Sequence, residues 1–459
     1  MKIAILGFDR QGKSAYRYWK SADNHITVCD RNTNVAIPDD CASQLGENYL
    51  KNLDKFDVLV RTPGLHPQKI SDANPSSHHI LDKVTTVTNE FLNICPSKNI
   101  IGVTGTKGKG TTSTLIANIL SAAGKRVHLG GNIGLAPLEM LDGTGFINDK
   151  TSGALHGDAM QGIQPDDWVV LELANFQLID LKYSPHIAVC LMITPEHLDW
   201  HKDIDEYLRA KQQLFAHQAE EDIAIYKSGD NRSMHLATSS HGRHVPYLEH
   251  PGAVVDNDEI TIDGHTICSV DDVALPGAHN LENICAAITA VWSITQDSTA
   301  IEQTITQFSG LPYRLQYIKT IDRVSFYNDS FGTTPETAIV AIDAMIEPTV
   351  VILGGSDKKS DYSALANKIK DAQHVSNVIV TGQTGPTIKQ ALDECGYTSI
   401  TEKYDSPMED IVATAYQIAK KPGAVLLSPA CASFDMFENY MDRGDQFNQA
   451  VRALAQADE

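Results

Sequence analysis

Residues Gly105-Thr106-Lys107-Gly108-Lys109-Gly110-Thr111 interleave glycines, lysines and threonines between an apolar, strand-like run and a helical stretch. Amides exposed in such a turn, a helix N-terminus behind them and a lysine ammonium are the groups that hold phosphate oxygens. A second loop competes with it. Gly7-Phe8-Asp9-Arg10-Gln11-Gly12-Lys13-Ser14 satisfies the literal GxxxxGK[ST] spacing, which the 105–111 loop, being shorter, does not.

Context decides between them. Phosphate chemistry with a divalent cation needs a carboxylate at the end of a neighbouring buried strand, and Trp168-Val169-Val170-Leu171-Glu172 supplies one beside the 105–111 loop. The comparable acid near the 7–14 loop is Asp30, close to the offset of about 20 residues at which a Rossmann-type fold sets an acid on a ribose. The first unit is therefore expected to read a nucleotide diphosphate. NAD is disfavoured, because Asp9 brings a charged side chain to the position of the fingerprint's middle glycine.

The elements that must carry these groups alternate between short β-rich runs and amphipathic helical stretches, the pattern of parallel sheets covered by helices. Strands are expected at 2–6, 26–30 and 57–60, with a boundary at Pro96-Ser97-Lys98. A second unit holds strands 99–104, 168–173 and 187–193, and helices from about Lys109 and over 203–215 and 280–294. Beyond Ser309-Gly310-Leu311-Pro312, strands 324–328, 349–353, 378–381 and 424–428 form a third α/β unit. The polar stretch 227–264 carries His235, His241, His244 and His250, whose irregular spacing predicts exposed loop and short-strand histidines, not metal ligands.

Composition narrows the class. A chain of 459 residues is expected to form about three domains, and a formal net charge of −21 argues against a general nucleic-acid or anionic-membrane binder. The eight cysteines are dispersed without zinc-site spacing, as expected of free thiols in a reducing compartment. No signal core or bilayer-length apolar stretch is read, so the expected location is cytoplasmic. A monomer is expected.

Taken in order, the motifs resemble the Mur ligase family through all three units. Ile101 to Lys109 looks like that family's phosphate loop, and Gly130-Gly131-Asn132-Ile133-Gly134, Glu172-Leu173-Ala174-Asn175-Phe176-Gln177-Leu178 and Ile193-Thr194-Pro195-Glu196-His197-Leu198-Asp199 follow it. Tyr207-Leu208-Arg209-Ala210-Lys211, Gly277-Ala278-His279-Asn280, Leu311-Pro312-Tyr313-Arg314 and Asn328-Asp329-Ser330 complete the series. Near the C-terminus, Leu427 to Asp435, then Phe437 and Arg443-Gly444, resembles the D-glutamate-adding branch.

The resemblance implies a three-domain α/β architecture: an N-terminal Rossmann-like domain (1–97) for a UDP substrate, a central P-loop ATPase-like domain (98–310) and a C-terminal Rossmann-like domain (311–459) for the incoming amino acid. It implies an ATP-dependent ligase of peptidoglycan precursor synthesis, with UDP-N-acetylmuramoyl-L-alanine and D-glutamate as small-molecule substrates. Gly105, Thr106, Lys107, Gly108, Lys109, Gly110, Thr111 and Thr112 would hold the phosphates. Thr111, Glu172, His197 and Lys211 would hold two magnesium ions, Lys211 as a carbamate. Asn280, Asn283, Arg314 and Asp329, grouped with the third unit, would hold adenine, phosphates and ribose. Thr333, Lys358, Ser433 and Tyr440 would bind D-glutamate, and Asp30, Arg31, Thr62 and Asn132 the uridine end.

Four residues depart from the family pattern. Lys107 adds charge inside the loop, Gly110 moves the expected magnesium hydroxyl to Thr111, Phe331 stands where some D-glutamate-adding enzymes have lysine, and Asp9 weakens the UDP pose. The Lys109-Gly110-Thr111 order resembles folylpolyglutamate synthases, which stand as the alternative beside a non-catalytic nucleotide-binding homologue. Without the resemblance, Lys211 is one residue on the face of a charged helix.

Overall fold

The computed structural model describes residues 1–21, 23–132, 135–141, 162–275, 277–356 and 360–457. It divides into two units, Met1–Phe308 and Ser309–Glu459.

The first unit holds two parallel sheets and a small antiparallel one. In the first sheet the spatial order is Ala42–Leu45, His25–Asp30, Lys2–Leu6, Val58–Arg61, Val84–Thr85, with all pairs parallel. The second runs Arg243–Tyr247, Ile223–Lys227, Ile187–Cys190, Ile100–Thr104, Trp168–Glu172, Val127–Gly131, again all parallel. Every residue of Ile100–Thr104 is buried, as a central strand covered on both faces requires. The helix Lys109–Ala122 packs against Ala278–Trp292, whose buried alanines Ala286, Ala287 and Ala290 suit close helix contact.

In the polar stretch, His235 lies on the helix Asn231–Ala237, not in a loop, and His244 on the strand Arg243–Tyr247. The strands Val254–Asp256, Glu259–Ile262 and His265–Ser269 form the antiparallel sheet.

The second unit is one sheet in the order Gln316–Ile321, Val324–Asn328, Gly423–Leu427, Thr349–Gly354, Val375–Thr381, Ile400–Lys403. Its first pair is an antiparallel hairpin and the rest are parallel. Connections at the carboxyl ends of parallel strands are where α/β sheets bind ligands, and in both units the expected site residues gather there. Among the described residues no helix is long and apolar enough to cross a membrane.

Candidate active site

The two glycine loops differ at the helix each one opens. Asp9 is the N-cap of Arg10–Trp19, and its carboxylate accepts from the amides of Gln11 at 3.2 Å and Gly12 at 3.4 Å. That helix end already holds an anion of its own chain. Ser14 is buried, which keeps its hydroxyl from the mouth of the loop. By contrast Gly108, the N-cap of Lys109–Ala122, provides no side-chain acceptor, so the first-turn amides face outward for an external anion. Gly108 has φ +84°, and a Cβ there would lie 2.2 Å from Asn283 Oδ1, so glycine is required on both counts.

Lys109 curls back over the loop, its Nζ donating to the carbonyls of Gly105 at 3.0 Å and Thr106 at 2.8 Å. Thr106 ties the loop to the next strand end: its hydroxyl donates to the Thr194 carbonyl at 3.0 Å and lies 2.8 Å from the Tyr207 hydroxyl. Lys107 is exposed, Gly110 is buried at the helix start and Thr111 is half-buried. Thr112 is buried, its hydroxyl 3.4 Å from Asn283 Oδ1. Asn283 in turn donates to Asn280 Oδ1 at 3.3 Å. Asn280 and Asn283 therefore belong to the first unit, beside the loop. Their grouping with the third unit is corrected here, because the helix Ala278–Trp292 that carries both packs on the loop's own helix.

Glu172 ends the strand next to the loop's strand, in register with Val103. It is only 4% exposed. Asn132 donates to its Oε1 at 2.7 Å, so an expected uridine-end residue and the expected magnesium carboxylate are in contact. His197 has φ +57°, and its ring lies 4.7 Å from that of Phe176 and 3.6 Å from the Glu196 carboxylate.

Lys211 is the most informative residue. The helix Ile204–Gln212 begins at the cap Asp203, which accepts from the Glu206 amide, and turns Tyr207 and Lys211 inward at i and i+4. Lys211 is 1% exposed, with Nζ 2.8 Å from the Gly105 carbonyl oxygen and 4.9 Å from the Tyr207 ring centroid. The plain surface-helix reading of Lys211 fails. Burial, and then the charge of Lys109, lower its pKa to about 7. Tyr207, which no motif singles out as functional, joins the glycine loop at Thr106 to Lys211; its i, i+4 spacing from the lysine was the available signal.

His66, His201 and Glu206 also converge, with ligand atoms within 4.8 Å of one another. Hydrogen bonding argues against a metal there. His66 Nδ1 accepts the Gln68 amide at 3.1 Å, so Nε2 carries the proton and donates to Glu206 Oε2 at 3.2 Å. A ligating histidine would need Nε2 bare and Nδ1 donating. Arg61, fully buried at the end of a first-sheet strand, similarly reaches the segment after the helix Asn175–Leu178, with two 2.7 Å bonds to Asp180.

At the uridine end, Asp30 accepts the Phe8 amide at 2.7 Å and the Asn32 amide at 2.8 Å. Thr62 donates to the Leu6 carbonyl at 2.8 Å, and Arg31 is exposed. In the second unit, Asp329 accepts from Ser428 Oγ at 2.7 Å and from the Leu315 amide at 3.1 Å, and burial raises its pKa to about 6. Buried Arg443 donates to Ser330 Oγ and O and to the carbonyls of Cys431 and Ala432, pulling together the loops that carry Thr333 and Ser433. Tyr440 opens the last helix, Tyr440–Ala457. Lys358 lies outside the described residues.

A parallel sheet whose central strand runs into an uncapped glycine loop beside a buried lysine is the arrangement of phosphate-binding α/β folds. Family profiles match the chain: "Mur ligase middle domain" over residues 103–291 and "Mur ligase, glutamate ligase domain" over 313–431. A relative from Acetivibrio thermocellus, named UDP-N-acetylmuramoylalanine--D-glutamate ligase, is 33% identical over 99% of this chain and 96% of its own. One of the same name from Natranaerobius thermophilus is 34% identical over 99% and 98%. Among solved structures, the UDP-N-acetylmuramate-alanine ligase of Thermotoga maritima superposes with TM-score 0.54 at 17% identity, covering 99% of this chain and 100% of that one. The MurF ligase of the same organism in complex with ADP gives 0.52 at 15%, covering 95% and 90%. The chain belongs to the Mur ligase family, and the solved relatives share its α/β architecture.

Proposed function

We propose that this protein joins D-glutamate to UDP-N-acetylmuramoyl-L-alanine with hydrolysis of ATP to ADP and phosphate. The observation that carries the reading is the Lys211 amine, buried against the carbonyl of Gly105 beside the uncapped 105–111 loop. Relatives named for this reaction, aligned over nearly the whole chain, support the choice of substrates. The proposed division of labour is 1–97 for the UDP substrate, 98–310 for ATP and 311–459 for the amino acid.

An unactivated carboxylate does not acylate an amine at useful rates, so it first takes the γ-phosphoryl group. A carboxylate oxygen of the UDP substrate bonds to γ-phosphorus and the bond to ADP breaks; the neutral amine of D-glutamate then bonds to the acyl carbon, phosphate leaves with the electron pair, and the nitrogen loses a proton to solvent. The loop amides and Lys109 hold the phosphate charge, Lys109 exchanging its bonds to Gly105 and Thr106 for phosphate oxygens. Asn280, Asn283, Arg314 and Asp329 hold the nucleotide, and Thr333, Lys358, Ser433 and Tyr440 the amino acid.

A buried carboxylate and a threonine hydroxyl are the hard oxygen donors that magnesium takes, so Glu172 and Thr111 would hold it, while the softer His197 imidazole would enter only as the second-ion ligand that the resemblance implies. Bound magnesium would neutralise phosphate charge. Lys211 would join them as a carbamate: the lone pair of its neutral Nζ bonds to the carbon of carbon dioxide, a C–O π pair moves onto oxygen and the nitrogen loses a proton, converting a neutral amine into an anion. A pKa lowered to about 7 leaves the amine in the nucleophilic form near neutrality, where a solvated lysine would be protonated.

Phosphate release and product mass should be followed with UDP-N-acetylmuramoyl-L-alanine and D-glutamate, with L-glutamate in its place, and with a folate plus L-glutamate. Turnover with D-glutamate and none with the folate pair is expected. Turnover with the folate pair alone would overturn the assignment.

A further inference from the structure

Phe331 is 39% exposed on the turn after the strand Val324–Asn328. An aromatic ring on a loop commonly needs no explanation, but this one is contacted from two directions. The Arg314 guanidinium carbon lies 4.0 Å from the ring centroid. Tyr440 meets the ring edge to face, with centroids 5.2 Å apart and an interplanar angle of 89°. Tyr440 also meets Tyr313, at 6.0 Å and 80°. Backbone bonds close the group: the Phe331 amide donates to the Tyr313 carbonyl at 2.9 Å, and the Ser330 hydroxyl donates to the Tyr440 carbonyl at 2.7 Å.

We propose that Phe331 is a positioning residue that seats Arg314 for the nucleotide and Tyr440 for the amino acid before either ligand arrives. The proposal rests on the nucleotide and amino-acid roles given above to Arg314 and Tyr440. Arg314 is exposed, and a mobile guanidinium loses rotamer freedom when it engages a ligand. A planar guanidinium held over a ring face has lost much of that freedom already, while its outer edge keeps its donors. A lysine at this position would repel Arg314; the phenyl ring instead offers it a π face. The aromatic residue at 331 thus replaces a direct charged contact by an indirect one, through Arg314.

The test is steady-state kinetics on the full chain. Phe331→Leu keeps apolar bulk and removes the ring face, so KM for ATP and for the amino acid should each rise about two- to fivefold with kcat nearly unchanged. Phe331→Tyr should restore both, and Phe331→Lys should not. Arg314→Ala should raise KM for ATP, and adding Phe331→Leu to it should have little further effect on that constant. If Arg314→Ala raises KM for ATP while Phe331→Leu leaves both constants unchanged, the positioning role is wrong. If Arg314→Ala itself leaves KM for ATP unchanged, the nucleotide role of Arg314 is wrong. A drop in Tm with kcat reduced and no rescue by tyrosine would make Phe331 merely structural and overturn the proposal.

Discussion

Lys211 Nζ donates to the carbonyl oxygen of Gly105 at 2.8 Å, placing a buried amine against the first residue of the 105–111 glycine loop. The loop's strand and the helix carrying the lysine meet at this bond, and the neighbouring Lys109 lowers the amine's pKa further.

Replacing that amine separates stability from activity. The folded-state pKa lies below the unfolded one, so the unfolded chain binds more protons between pH 7 and 10.5, and stability rises with pH across that window. Below pH 7 the protonated amine imposes its full penalty. Lys211→Met should therefore stabilise the protein by roughly 1–3 kcal/mol at neutral pH, read by denaturant unfolding. Ligase activity of the same variant should fall about 100-fold or more. Retained activity would dismiss the carbamate, and unchanged stability would dismiss the buried charge.

Tyr207→Phe removes the hydroxyl that meets Thr106 but keeps the ring under Lys211. A loss of about 1 kcal/mol is expected, visible as a severalfold rise in KM for ATP. Unaltered KM and unaltered Tm together would show that the contact does not hold the loop.

Asp329 gives a pH signature. Its folded pKa is raised from 3.8 to about 6, so the folded state binds more protons than the unfolded one between these values, and stability falls as pH rises through that window. For binding, the carboxylate form should be the better acceptor for ribose hydroxyls. KM for ATP should therefore rise as pH drops below about 6, and Asp329→Asn should flatten the profile. An identical profile in the variant would assign the titration elsewhere.

Gly108→Ala would force a side chain into αL geometry and against Asn283. Destabilisation on the order of 1–2 kcal/mol and weakened ATP binding are expected, measured by thermal unfolding with and without nucleotide. A variant with wild-type Tm and affinity would mean that the loop adapts.

The 105–111 loop was legible in sequence as a strand-to-helix turn because its glycines, lysines and following helix are contiguous, and so were the parallel sheets, whose apolar strands alternate with helices. Contacts between distant segments were not. Nothing in the segment around Lys211 says that it faces the Gly105 carbonyl, since a charged helix with one inward lysine reads like a solvated one. His66 and Glu206 meet although they are 140 residues apart. Asp9 was legible as an obstacle to NAD but not as a helix cap, because capping depends on the extended backbone it adopts before the helix. Asn280 and Asn283 fall in the unit that the 98–310 bounds and the expected helix 280–294 already gave them; only their nucleotide role was grouped with residues of the third unit, and their helix packs on the loop's own helix.

The proposed function requires ATP to be held by the 105–111 loop and not by the 7–14 loop that matches the literal pattern. Calorimetric titration of magnesium-ATP into Lys109→Ala and Lys13→Ala tests it most directly. Lys13→Ala should bind as the unmodified protein does, and Lys109→Ala should lose affinity by about tenfold or more. Loss of binding in Lys13→Ala with retention in Lys109→Ala would contradict the account.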